Sequence, residues 1–268
     1  MPDPLVAAGQ ADSGLFEIPA HSELPLFTPD WRVLENNRIV GFHGRHISAR
    51  PFSLLRSQVV KRMVARDHRI MGITSPAPGA GKSFLSANLA ATLSRLPSHT
   101  IHVFDLDVRR ASIAASFGLS GTVGLERFLA GDTDDLRAVG RHVEGTNLAL
   151  YPCYLNDLDT VQLLASERFS TFIASLRTLG EGHIVLFDMP PVFANDDAMV
   201  IASQIDTYLM VIEQGRNSQK QVEDALRLLA PAECLGSVLN RYDGGVGDSY
   251  GYSYGEYGKY GDYFNKTD

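Results

Sequence analysis

The chain has 268 residues, 44% of them hydrophobic and 21% charged, enough to bury one substantial core and favouring one large domain with tails. Its formal net charge of −7 is uneven: residues 31–70 hold nine Lys or Arg against Glu35 and Asp67, a local +7 that leaves −14 elsewhere. Cys153 and Cys234 show neither metal spacing nor a disulfide framework, and no apolar run reaches the roughly 20 residues of a spanning helix, so a disulfide scaffold and a transmembrane helix are excluded.

The start, Met1-Pro2-Asp3-Pro4, lacks the basic region of a secretory signal, and a cytoplasmic location is expected. Prolines at 2, 4, 19, 25 and 29 among polar residues predict an irregular arm over 1–45, with the main domain over 46–241. Phe52, Leu55, Val59, Val60 and Met63 then recur at helical spacing behind Pro51, which suits a first turn. Downstream, short apolar runs at 69–74, 101–106, 148–151, 183–188, 207–213 and 236–240 alternate with helical patterns at 82–96, 124–130, 159–179, 196–203 and 219–229. Strands apolar on both faces and separated by helices imply an α/β fold: a mostly parallel sheet with helices on both faces and ligands at the carboxyl ends of the strands. Both cysteines read as core thiols.

The segment Ser75-Pro76-Ala77-Pro78-Gly79-Ala80-Gly81-Lys82-Ser83 follows one predicted strand and opens a helix, the context of a phosphate-binding P-loop. Gly79 and Gly81 let backbone N–H groups turn toward an anion, Lys82 reaches terminal phosphates, and Ser83 supplies a hydroxyl for Mg²⁺. The motif's usual first glycine is replaced by Pro76. Asp105 and Asp107, at the end of the next strand, are suited to hold a metal and to accept a proton; Asp188, before Pro190-Pro191, is suited to bind Mg²⁺. Asp196 and Asp197 read as acids favoured by a helix N-terminus.

The last nineteen residues hold Tyr250, Tyr252, Tyr254, Tyr257, Tyr260 and Tyr263, separated mostly by glycine. With no apolar period to bury, residues 242–268 are expected to form a disordered, flexible tail of phosphate acceptors.

In order, 73–90, Asp105-Leu106-Asp107-Val108-Arg109-Arg110 and Asp188-Met189-Pro190-Pro191 resemble the Walker A, A′ and B motifs of the bacterial tyrosine kinases, the autokinases of capsule and exopolysaccharide systems. The likeness runs from about residue 50 to the C-terminus and takes in 235–240 and the tyrosine cluster. It implies a P-loop NTPase fold that uses ATP and Mg²⁺, with Pro78, Gly79, Ala80, Gly81, Lys82, Ser83, Phe84, Arg109 and Asn240 at the nucleotide. It further implies Ser83, Asp107 and Asp188 at the metal, Lys82, Asp105, Asp107 and Asp188 in catalysis with Asp105 as proton acceptor, and the six tail tyrosines as phosphoacceptors. Self-association, a membrane polysaccharide co-polymerase of the chain-length type as activator, recruitment to the inner face of the plasma membrane, and an opposing tyrosine phosphatase follow from the same resemblance, with no nucleic-acid partner. Two departures stand out. The family's Glu-x-x-Arg-x-x-Arg helix matches here at Arg50, Ser53 and Arg56, of which only the last agrees, and Met189 stands where the family often has a hydroxyl residue. The competing readings are a ParA/MinD-like positioning ATPase, disfavoured by the lack of an early loop lysine at 75–77, and an ATP-binding scaffold.

Overall fold

A computed structural model describes residues 14–44, 46–154 and 158–243. A 3-10 turn (His21–Glu23) leads into β1 (Leu26–Phe27) and α1 (Trp31–Asn36), and a second such turn (Ile47–Ala49) into α2 (Arg50–Ala65). There follow β2 (Ile70–Thr74), α3 (Lys82–Leu93), β3 (Thr100–Asp105), α4 (Ser112–Phe117), α5 (Leu125–Ala130), α6 (Leu136–Val139), β4 (Arg141–Val143) and β5 (Leu148–Tyr151). The remainder carries α7 (Thr160–Leu164), α8 (Glu167–Arg177), β6 (His183–Asp188), α9 (Asp197–Ala202), β7 (Thr207–Glu213), α10 (Gln219–Leu228) and β8 (Glu233–Asn240).

One sheet runs β1-β4-β5-β3-β6-β2-β7-β8, and its pairs are parallel except β4 with β5. Alternation along the central strands feeds two cores. Met71, Ile73, Ile101, Val103, Ile184, Leu186, Leu209 and Val211 join α2 and α3 on one face; Ile70, Phe104, Val185, Phe187, Tyr208 and Met210 join the α5–α10 side on the other. Both faces are therefore covered, as the doubly apolar strand sequences require. None of the described helices is long and apolar enough to cross a membrane.

Residues 14–44 depart from the irregular lead-in that the prolines predict. β1 extends the sheet beside β4, and the chain then lies along α3, where Asn88 Oδ1 accepts from the N–H groups of Val40 (2.8 Å) and Gly41 (3.2 Å) and its Nδ2 donates to Arg38 O (3.1 Å). Gly41 is required there, because a Cβ would sit 2.4 Å from Asn88 O. At the arm's other end the His21 ring lies 4.9 Å from that of His102 and 5.3 Å from that of His142. His102 and His142 flank Ala149 in register, and the small alanine leaves the width that His21 fills. His102 Nε2 in turn hydrogen-bonds His183 Nδ1 at 3.0 Å. Long-range packing, absent from local sequence pattern, orders this segment.

The helix predicted over 159–179 is two helices. Ser166 ends the first by capping the second, its hydroxyl accepting from Phe169 N, and so restarts the helical register. The short β1, β4, α1, α4 and α6 were not predicted. The expected tail lies, from residue 244 onward, outside the described residues.

Candidate active site

The phosphate loop joins β2 to α3 at the carboxyl end of the sheet. Gly79 and Gly81 adopt φ of +86° and +94°, the left-handed backbone that forms an anion nest ahead of a helix N-terminus. Asn240, at the end of β8, donates from Nδ2 to Ala80 O at 2.8 Å, and a Cβ on Gly81 would meet that amide at 2.2 Å. Gly81 is thus fixed by its backbone angle and by its neighbour. The side chain expected near the nucleotide braces the loop that would hold it. Thr74 Oγ1 donates to Pro190 O at 2.7 Å, tying the loop's base to the turn after β6.

Lys82 is buried and donates to Asp107 Oδ2 at 2.5 Å and to Ser83 Oγ at 3.3 Å. Asp105 and Asp188 sit opposite each other in the β3–β6 register, both fully buried. Asp105 accepts the N–H groups of Asp107 (3.2 Å) and Ile113 (2.9 Å), which shapes the loop that carries Asp107. Asp188 accepts from Ser86 (2.9 Å) and Ser112 (3.4 Å). Three carboxylates therefore share one ammonium. Burial, and then the neighbouring Asp188 charge, push Asp105 well above the usual carboxylate range; burial raises Asp188 too, offset in part by Lys82 and by serine hydroxyls. Burial alone would lower Lys82, but Asp188 and Asp107 together raise it. This excess of buried negative charge, with oxygen donors on Ser83, Asp107 and Asp188, has the hard-donor chemistry that suits a small divalent cation.

The side chains of other expected residues make contacts outside the Lys82–carboxylate cluster. Phe84 packs its ring edge-on against Phe52 at 5.8 Å, so its side chain serves the α2–α3 contact. Arg109 donates from Nε to Thr160 Oγ1 (3.0 Å), and Thr160 donates to Asp197 Oδ2 (3.1 Å). Asp197 is buried, also accepts from Asn195 Nδ2, and lies 3.7 Å from Arg109 Nε. It is therefore the hub of a polar cluster spanning three segments, more than an acid favoured by its helix end. No local pattern links 109, 160 and 197, and sequence reasoning missed the cluster. On α2, Ser53 bonds back to Ala49 O, and Arg56 reaches Thr92 O on α3 at 3.3 Å. Met189 is fully buried over Gly72, where a Cβ would meet its sulfur at 2.1 Å; the glycine makes room for the larger residue. Cys153 is buried and donates to Asp105 O at 3.0 Å, whereas Cys234, expected in the core, is half-buried at the sheet edge.

No protein-family model matches the chain. Among curated proteins it is 28% identical over 216 residues to the tyrosine-protein kinase CpsD of Streptococcus agalactiae, covering 78% of this chain and 88% of that one. It is 29% identical over 209 residues to the tyrosine-protein kinase Wzc of Salmonella typhimurium, where the match covers 76% of this chain and 28% of the longer relative. Among solved structures, the chimerical protein CapA2B2 superposes with a TM-score of 0.68 at 25% identity, covering 82% of this chain and 95% of the other. With the P-loop, the paired carboxylates of β3 and the buried Asp188 of β6 arranged as described, the chain is similar in sequence and in fold to the bacterial tyrosine-protein kinases.

Proposed function

We propose that the chain is an ATP-dependent autokinase that phosphorylates its own C-terminal tyrosines, Tyr250, Tyr252, Tyr254, Tyr257, Tyr260 and Tyr263. The observation that carries this reading is covalent continuity between site and acceptors: β8 ends at Asn240, whose amide bonds the phosphate loop, and the tyrosine cluster begins ten residues later. A random coil of about 22 residues, the length from Tyr242 to Tyr263, has a root-mean-square reach of roughly 25 Å, a span on the scale needed to meet a neighbouring copy's site.

When bound, Mg²⁺-ATP supplies the γ-phosphoryl group and the divalent charge. Lys82 and the N–H groups of Gly79 to Ser83 would hold the phosphates, and Ser83, Asp107 and Asp188 would hold the cation. Asp105, at the end of β3 beside Asp107, would accept the proton that the acceptor phenol loses as its oxygen bonds phosphorus and ADP departs. Lys82, which here donates to Asp107, would give that contact up for phosphate oxygens. The likeness to capsule and exopolysaccharide kinases supports a regulatory role in polymer synthesis or export, activation by a membrane co-polymerase, and reversal by a tyrosine phosphatase.

The test mixes full-length Lys82→Met chain with an active chain truncated after Gly247. Phosphotyrosine on the tail of the Lys82→Met chain supports the reading. No tail phosphate, with the truncated chain competent for ATP hydrolysis, would replace it with a positioning ATPase.

A further inference from the structure

Arg109 stands two residues beyond Asp107, the partner of Lys82, and its Nε is turned into the Thr160–Asp197 relay. The relay runs in one sense: Arg109 Nε–H donates to Thr160 Oγ1, and the Thr160 hydroxyl donates to Asp197 Oδ2. Asp197 is suited to anchor it, since the side chain is only 4% exposed and its Oδ1 has no partner among the described residues. The Arg109 side chain is 58% exposed. Its two Nη groups make no hydrogen bond with the described residues, so the relay fixes the plane of the guanidinium and leaves its bidentate edge for a ligand. Guanidinium forks match carboxylates in geometry and charge.

The acceptor sequence offers that match unevenly. Glu256 directly precedes Tyr257 and Asp262 directly precedes Tyr263, whereas Lys259 directly precedes Tyr260. We propose that Arg109, held by Thr160 and Asp197, reads the residue before the acceptor tyrosine and selects acidic-flanked sites, so that Tyr257 and Tyr263 are phosphorylated ahead of Tyr260. This inference rests on the autokinase reading and adds to it an acceptor class and an order. Arg109 is the specificity residue; Thr160 and Asp197 are positioning residues that act through it. An exposed Arg–carboxylate contact supports a preference of about three- to fivefold for each acidic flank, and a lysine at the same place widens the gap.

The experiment exchanges the charges in the tail, Glu256→Lys with Lys259→Glu, in the full chain. It maps phosphate at Tyr257 and Tyr260 by mass spectrometry at early times with Mg²⁺-ATP. The expected result is that the native chain favours Tyr257, the exchanged chain favours Tyr260, and Arg109→Gln flattens the ratio in both. Thr160→Val is expected to flatten it partway. Both substituted positions lie outside the described residues, and the exchange leaves the net charge of the tail unchanged. Equal early phosphate at Tyr257 and Tyr260 in the native chain would overturn the inference while leaving the autokinase reading intact. So would an Arg109→Gln chain that slows both sites equally and keeps their order, since that pattern assigns Arg109 to the nucleotide phosphates. Absence of tail phosphate altogether would overturn both.

Discussion

Acid should loosen the N-terminal arm through His21. Burial, followed by the charges His142 and His183 would carry, lowers its pKa from 6.5 to about 4. A histidine lowered in this way stays neutral in the folded chain while the unfolded chain takes up a proton. Stability is therefore full above the unfolded value and is lost as pH falls from 6.5 toward 4. Linkage at about 1.36 kcal/mol per unit gives a loss of about 2 kcal/mol between pH 7 and pH 5, and the ring's partial exposure reduces this to about 1 kcal/mol through solvent screening. His102 and His183 are lowered in the same direction, both first by burial, and add to the slope. Asp105 and Asp188 are raised and oppose it, so the informative quantity is a difference between two chains. Urea unfolding of the native chain and of His21→Phe at pH 7 and pH 5 supplies it. The native chain should lose about 1 kcal/mol more than the variant. Identical pH dependence would refute the buried, neutral state of His21.

Three further outcomes are expected. Gly72→Ala forces a Cβ into the Met189 sulfur and should cost about 1–3 kcal/mol in urea unfolding, much of it recovered in Gly72→Ala with Met189→Ala. Gly81→Ala combines a φ of +94° with a clash against the Asn240 amide; nucleotide affinity by calorimetry should fall by about tenfold or more, and unchanged affinity would show that the loop tolerates rearrangement. Each tail phosphate adds about −1.5 to −2 charges to an acidic protein, so full phosphorylation should weaken self-association, seen as a smaller mass in light scattering.

The central sheet was legible because its strands are apolar runs bounded by loops, and the phosphate site because glycine, lysine and serine stand between a strand and a helix. The juxtaposition of Asp105 and Asp188 follows from β3 and β6 being neighbours, which strand sequences alone do not state. What escaped detection depends on distant partners. β1 is two residues long and exists by pairing with β4; the arm is held by Asn88, a residue that reads in sequence as one more polar position on α3. Ser166 was readable as a cap, and attention to it would have split the predicted helix correctly. The Arg109–Thr160–Asp197 relay joins segments 51 and 37 residues apart and leaves no local trace.

Intact-mass spectrometry of the full chain after incubation with Mg²⁺-ATP, beside Lys82→Met and a truncation after Gly247, tests the central claim most directly. A ladder of added phosphates on the native chain alone is the predicted result. A ladder on the truncated chain would contradict tail-directed transfer, and one on Lys82→Met would contradict catalysis at the phosphate loop.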